Sequence, residues 1–242
     1  MDEKYERNVY LAMLSEQCHE YDDMRNFLED LVKNKKDDLN LDESNLISIS
    51  YKNIISHRRN ALKTLYIYEM REAKKPNTFY LSWIQEYKKR IELELVDICT
   101  KLITNIENYF IPRAKDLEIK VFYHKMKADF LRYIAENVEI TNRKLFSENS
   151  LKTYFEAMEL AKKLQITNQL RLALALNLSI FFYEIMNDSI AACKITQETL
   201  EIASKAFGDT DEEDEEFIDA FRILDTMKEN LRIWCNCESK NE

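Results

Sequence analysis

Val121-Phe122-Tyr123-His124-Lys125-Met126-Lys127-Ala128-Asp129-Phe130-Leu131-Arg132-Tyr133-Ile134-Ala135-Glu136 is one of two stretches that decide how this chain folds; the other is Tyr51-Lys52-Asn53-Ile54-Ile55-Ser56-His57-Arg58-Arg59. On a helix, residues seven apart share a face about two turns apart. Lys52 and Arg59 stand at that spacing, as do Lys125 and Arg132, and Tyr133 follows Arg132 directly. Converging cations with a phenol suit a phosphate dianion, which carries about two negative charges and three acceptor oxygens. The surrounding protein is acidic, with 35 basic and 44 acidic residues and a formal net charge of -9. These cations are therefore not part of a generally basic surface.

Composition points the same way on fold. The 242 residues include one glycine and two prolines, against average usage near 7% and 5%. Sheets and barrels need turn residues at regular intervals, so the expectation is an all-α protein. With 45% hydrophobic and 33% charged residues the chain has both a core and a solvated surface, and the composition is not that of a disordered segment.

Pro76, Pro112 and Gly208 punctuate stretches of helical periodicity, and about nine helices are expected. The first two cover Lys4 to Cys18 and Tyr21 to Lys35. Asn40 with Glu43 predicts a capping box that opens a long helix to Lys74. Along it Leu46, Ile49, Ile54, Leu62, Leu65 and Tyr68 recur at the intervals of one buried stripe. A fourth helix is expected from Thr78 to Tyr109, ended by Phe110-Ile111-Pro112, and a fifth from Asp116 to Glu136. Four more follow, over Glu148 to Leu164, Asn168 to Met186, Ser189 to Phe207 and Glu213 to Trp234. Thr210 and Glu213 offer a second capping box, inside the acidic run Asp209 to Glu216, which reads as a solvated helix start. No Ser- or Gly-rich linker divides the chain, so residues 1–236 read as one helical domain, or two halves sharing a continuous core, and 237–242 as a short polar tail.

Several function classes are excluded or disfavoured. An acidic balance argues against a nucleic-acid surface. No apolar run approaches the length of a membrane span, and the charged start lacks a leader's apolar region. Five cysteines, scattered and odd in number, fit a reduced, cytoplasmic compartment. No nucleophile has a paired base, no glycine loop cradles phosphate, and no HExxH or CxxC pair occurs. The expectation is no enzyme, no cofactor and no metal.

The ordered blocks Leu14 to Met24, Asn45 to Asn53, Val121 to Glu136, Arg171 to Glu184 and Asn230 to Trp234 resemble the 14-3-3 family, and the resemblance covers nearly the whole chain. It implies nine antiparallel helices forming a cup-shaped bundle, dimeric, with an amphipathic groove in each subunit. It implies an adaptor for phosphoserine- or phosphothreonine-bearing segments of client proteins. Lys52, Arg59, Arg132 and Tyr133 would take the phosphate. Lys125, Asp129, Leu176, Asn177, Ile180, Glu184, Ile223 and Asn230 would line the groove and hold the client's backbone, with Asp129 orienting a guanidinium. Asp23, Ala61, Leu65, Tyr87 and Arg90 would form the dimer seam.

The chain departs from the family at defined positions. Leu62 replaces a tryptophan, Ala128 a glycine, and Phe130-Leu131 an aromatic pair. Arg222 and Thr226 stand where the groove normally presents leucines, which motivates an alternative, a phosphate-independent helical scaffold. His57 and His124 flank the phosphate-site residues in sequence and read as surface histidines. Glu20 replaces an arginine expected to face the position of Glu94, so a homodimer, or a heterodimer in its place, is expected to be weakened at that point.

Overall fold

The computed structural model describes residues 3–35, 38–76, 79–138, 140–208 and 217–238. Side chains at 30, 33, 34, 140, 141 and 235–238 lie outside the description. Among the described residues every regular element is helical. The helices are α1 Glu3–Gln17, α2 Tyr21–Asn34, α3 Leu41–Glu72, α4 Phe79–Asn105, α5 Leu117–Asn137, α6 Ile140–Ala161, α7 Gln169–Glu184, α8 Ser189–Phe207 and α9 Ile218–Glu238. They fall into two compact units, one taking in Met1–Lys115 with Asn137–Thr141, the other Asp116–Glu136 with Asn142–Glu242.

In the first unit the side-chain register fixes helix direction. Tyr5 near the start of α1 accepts from Lys35 just beyond α2. Arg58 lies 3.8 Å from Asp22, Tyr51 donates to Glu29, and Lys35 pairs with Glu43. Thus α3 runs antiparallel to α2. Between α3 and α4, Arg58 meets Glu94 and Glu69 meets Lys88, again antiparallel. Charged pairs mark the seams while Met24, Leu28, Ile47, Tyr51, Ile54, Ile55, Leu95 and Leu102 fill the interior.

The expected capping box forms in full. Asn40 Oδ1 accepts from the Glu43 N–H at 2.9 Å, and Glu43 Oε2 accepts from the Asn40 N–H at 2.8 Å. Pro112, by contrast, does not end the fourth helix where expected. After Asn105 one π turn, Ile106–Phe110, carries the chain into a short helical turn, Ile111–Arg113. The Ile111 N–H reaches back to Ile106 O, and the widened turn removes the register in which proline would break the ladder. Arg113 then anchors this end by donating to Lys35 O at 2.6 Å.

In the second unit α5 and α6 are antiparallel, since Arg132 pairs with Tyr154 and His124 with Glu156. Helices α5, α7 and α9 run parallel to one another. Asn168 bonds Glu118 and Asn177 bonds Asp129, while Gln169 bonds Asp219 and Tyr183 stacks on Trp234 at 4.9 Å. Ala128 and Ala135 of α5 meet Ala157 and Ala161 of α6 in one core cluster with Leu174, Leu178 and Phe181 of α7. Small side chains let these backbones approach, and Ser150 donates to the Ala128 carbonyl at 2.9 Å. A second cluster joins Leu172 and Ala175 of α7, Ala203 and Phe207 of α8, and Leu224 and Met227 of α9.

Gly208 caps α8 with φ +54°, a conformation that suits a residue without a Cβ. The sixth helix begins at Ile140 and ends at Ala161, eight residues before the expected start at Glu148. The acidic run Asp209 to Glu216, with its expected capping box, lies outside the described residues. Helix α9 begins at Ile218 and continues through Glu238.

Candidate functional site

The chemistry of the second unit centres on a buried cluster of charges. Asp129 is 1% exposed and Arg132 6%, and neither sits in an apolar void. Asp129 Oδ1 accepts from the Tyr154 hydroxyl at 2.5 Å and Oδ2 from Lys125 Nζ at 2.9 Å. Asn177 Nδ2 donates to both oxygens, at 2.8 and 2.9 Å. Burial alone would push the Asp129 carboxyl up, yet Lys125, Arg132 and the Tyr154 hydroxyl together hold it below the usual carboxylate range. Burial and the Asp129 charge push the Tyr154 phenol well up, so it stays a donor.

Arg132 is held along one edge. Its Nε donates to Tyr154 Oη at 3.3 Å, and its guanidinium lies 4.7 Å from the centre of the Tyr133 ring. One terminal nitrogen is 4.0 Å from Asp129 and the other 3.9 Å from Glu184. Both distances exceed hydrogen-bond range, so among the described residues these two carboxylates orient the terminal donors without hydrogen-bonding them. Burial works against the cation, but Tyr154, Asp129 and Tyr133 more than offset it. The guanidinium stays charged.

The unit thus brings Lys125, Asp129, Arg132, Tyr133, Asn177 and Glu184 together. Leu176 and Ile223, half-buried, pack against the α7–α8–α9 cluster. Ile180 and Asn230 are half-buried on α7 and α9. Arg222 is exposed and paired within its helix to Asp219 at 3.1 Å, and Thr226 donates to the Arg222 carbonyl at 2.9 Å.

Tyr154 is the member that sequence reasoning missed. Within Leu151, Tyr154, Phe155 and Met158 it follows the spacing of a core stripe, and nothing local marks its hydroxyl as the link between Asp129 and Arg132. His124 corrects a second expectation. His57 is exposed as expected, but the His124 side chain is only 17% exposed, with Nδ1 3.7 Å from Glu156. Burial lowers its pKa, partly opposed by Glu156.

In the first unit, Lys52 is exposed and Arg59 half-buried on α3. The departures from the family pattern sit in the core, with Leu62 5%, Ala128 and Phe130 0% and Leu131 6% exposed. Of the expected seam residues, Asp23, Tyr87 and Arg90 are exposed while Ala61 and Leu65 are half-buried. The Arg90 guanidinium lies 4.7 Å from the centre of the Tyr87 ring, and Glu94 is 3.7 Å from both Arg58 and Arg90. Among the described residues no group of three or more His, Cys, Asp or Glu is placed to hold a metal ion. No helix of the described residues is long and apolar enough to cross a membrane.

The architecture is thus an all-α one, with a charge-paired arginine fixed among three helices of its second unit. The family described as 14-3-3 protein matches residues 11–235. A 14-3-3-like protein of Solanum tuberosum is 36% identical over 236 residues, 97% of this chain and 90% of the relative. The 14-3-3 protein 4 of Solanum lycopersicum is 37% identical over 235 residues, covering 96% and 90%. A 14-3-3 protein homolog of Trichoderma harzianum is 36% identical over 237 residues, covering 98% and 89%. This chain belongs to the 14-3-3 family.

Proposed function

We propose that this protein is a phosphoserine/phosphothreonine-dependent adaptor of the cytosol that acts by binding alone. The observation that carries the reading is the fixed guanidinium of Arg132, charged, buried and edge-bonded to Tyr154 with its terminal nitrogens oriented. A planar fork held this way meets two phosphate oxygens at little cost in side-chain entropy. The reading assigns the phosphate to Lys52, Arg59, Arg132 and Tyr133, two cations of α3 and a cation and phenol of α5. Each charge-assisted bond contributes about 1.5–3 kcal/mol, less the desolvation of the phosphate. Asn177 and Asn230 hold the client backbone. Asn177 commits its Nδ2 to Asp129, which leaves its carbonyl oxygen as the group for a client amide. Leu176, Ile180 and Ile223 supply apolar contact, and Lys125 and Glu184 polar contact.

The reading includes a dimer through Asp23, Ala61, Leu65, Tyr87 and Arg90, weakened where Glu20 of one copy faces Glu94 of the other. In sedimentation at micromolar concentration, Glu20→Arg then tightens association by roughly tenfold. A wild-type dimer that is tight and insensitive both to salt and to this change contradicts the weakened seam.

A fluorescence-anisotropy titration tests the adaptor reading, using one phosphoserine peptide with wild type and with Arg59→Ala. The expected result is saturable binding that Arg59→Ala removes. Equal binding by the two proteins instead favours the phosphate-independent scaffold that exposed Arg222 and Thr226 would suit.

A further inference from the structure

The far end of the α3–α4 pair is left unused by the adaptor reading. Arg58 meets both Asp22 at the start of α2 and Glu94 of α4. Beyond that level α3 runs on for about fourteen residues, ~20 Å, beside the opening turns of α4. Glu69 holds the two helices together there, accepting from Gln85 and Lys88. Among the described residues between 63 and 90, only Glu72 is buried. The stretch is nonetheless rich in large apolar side chains. On α3, Tyr66, Ile67 and Tyr68 are 56%, 64% and 50% exposed, and on α4 Phe79, Tyr80 and Trp83 are 58%, 56% and 53% exposed. The α4 rings pack on one another, Trp83 lying 4.5 Å from Phe79 and 5.7 Å from Tyr80. An exposed apolar patch of this kind marks an interaction surface.

Spread and charge together say what covers it. At about 100° per residue, Ile67 lies about 160° round α3 from Leu65, and exposed Met70 about 140°. A seam through Leu65, Tyr87 and Arg90 covers one flank of the pair and leaves Ile67 and Met70 outside. A fluid interface, unlike a second folded copy, closes around an end that is apolar on several sides. The stretch 66–90 also holds six basic residues against three acidic ones, in a chain of net charge -9. Two of those acids are already matched, Glu69 by Lys88 and Glu72 by Lys75, each at 2.7 Å. Arg71 and Lys74 are exposed beside the aromatic rings' end of the pair. Exposed Trp and Tyr with Lys and Arg seat a protein at the headgroup level of a negatively charged bilayer. The acidic remainder of the chain is repelled by the same surface.

We propose that the end of the α3–α4 pair docks on an anionic membrane surface, with Ile67, Met70, Phe79, Tyr80 and Trp83 among the headgroups and Arg71 and Lys74 on lipid anions. The docking is peripheral and stands apart from phosphopeptide binding.

Trp83 is the probe, since the second tryptophan, Trp234, is 4% exposed and stacked on Tyr183. Full-length protein is titrated with phosphatidylcholine vesicles, with and without about 30% phosphatidylserine, while tryptophan emission is followed. A saturable blue shift with the anionic vesicles is expected, with at least tenfold weaker binding to the neutral ones and no shift in Trp83→Phe. Arg71→Glu combined with Lys74→Glu changes two exposed side chains. It is expected to weaken binding at least tenfold while the far-UV melting curve stays that of wild type. Should that variant melt early, the two vesicle types with wild type decide alone. No shift with anionic vesicles, equal affinity for neutral ones, or a shift that survives in a folded double variant overturns the proposal. A shift that follows protein concentration without vesicles also overturns it and assigns this end to a second copy.

Discussion

Replacing Tyr154 by phenylalanine removes one oxygen from the centre of the buried cluster and little else. The ring stays among Phe181 and its neighbours, 5.6 Å from the Phe181 centroid, so no appreciable cavity forms. Two bonds disappear: the 2.5 Å bond to Asp129 and the 3.3 Å bond from Arg132. A buried bond to a charged group contributes about 1.5–3 kcal/mol. The longer bond adds less, so the expected loss is about 2–3 kcal/mol. At about 2–4 °C per kcal/mol for a chain of this size, the melting temperature falls by about 4–12 °C. Urea unfolding with an unchanged m-value measures the loss. Because Arg132 also loses the acceptor that sets its plane, phosphopeptide affinity falls by about three- to tenfold. Stability within 0.5 kcal/mol of wild type, together with unaltered affinity, would falsify the claim that Tyr154 positions Arg132.

Three further outcomes follow from the same geometry. Asp129→Asn leaves Lys125 and Arg132 without their shared counter-charge and costs about 3–5 kcal/mol at neutral pH. The Asp129 carboxyl is held low, so its stabilisation is present above the ordinary carboxylate range and is lost as pH falls below it. The gap between wild type and Asp129→Asn in urea therefore narrows from pH 5 to about pH 3. His124 has a lowered pKa, so the folded state disfavours its charged form and wild type loses stability as pH falls through about 6.5. Glu156 and Lys127 are the charges that act on it, and His124→Gln should flatten the melting profile between pH 7.5 and 5.5. Asn40→Ala removes half of the capping box at α3 and lowers stability by about 0.5–2 kcal/mol, read by chemical unfolding.

Local signals made much of the fold legible in the sequence. The Asn40–Glu43 cap, the glycine at 208 and the breaks near Pro76 each act within a few residues, and each was readable from those residues alone. Pro112 misled because a π turn two to six residues earlier resets the hydrogen-bond register, and no residue type announces such a turn. The early start of α6 was missed because Leu145 is 58% exposed and Phe146 only half-buried, which leaves a weak apolar stripe ahead of Glu148. At the site, Arg132 and Asp129 were visible because they lie three apart on one helix. Tyr154 was not, since its two partners lie 22 and 25 residues away and only packing of α5 against α6 brings them into reach. His124 likewise looked solvated until α6 placed Glu156 beside it.

The central claim is that affinity resides in the phosphate, and one comparison tests it most directly. A single fluorescein-labelled serine peptide is titrated against wild type in phosphorylated and unphosphorylated form at the same ionic strength. The account predicts saturable binding of the phosphopeptide and at least a hundredfold weaker binding of its twin, about 2.7 kcal/mol. Equal affinity for the two peptides would contradict it.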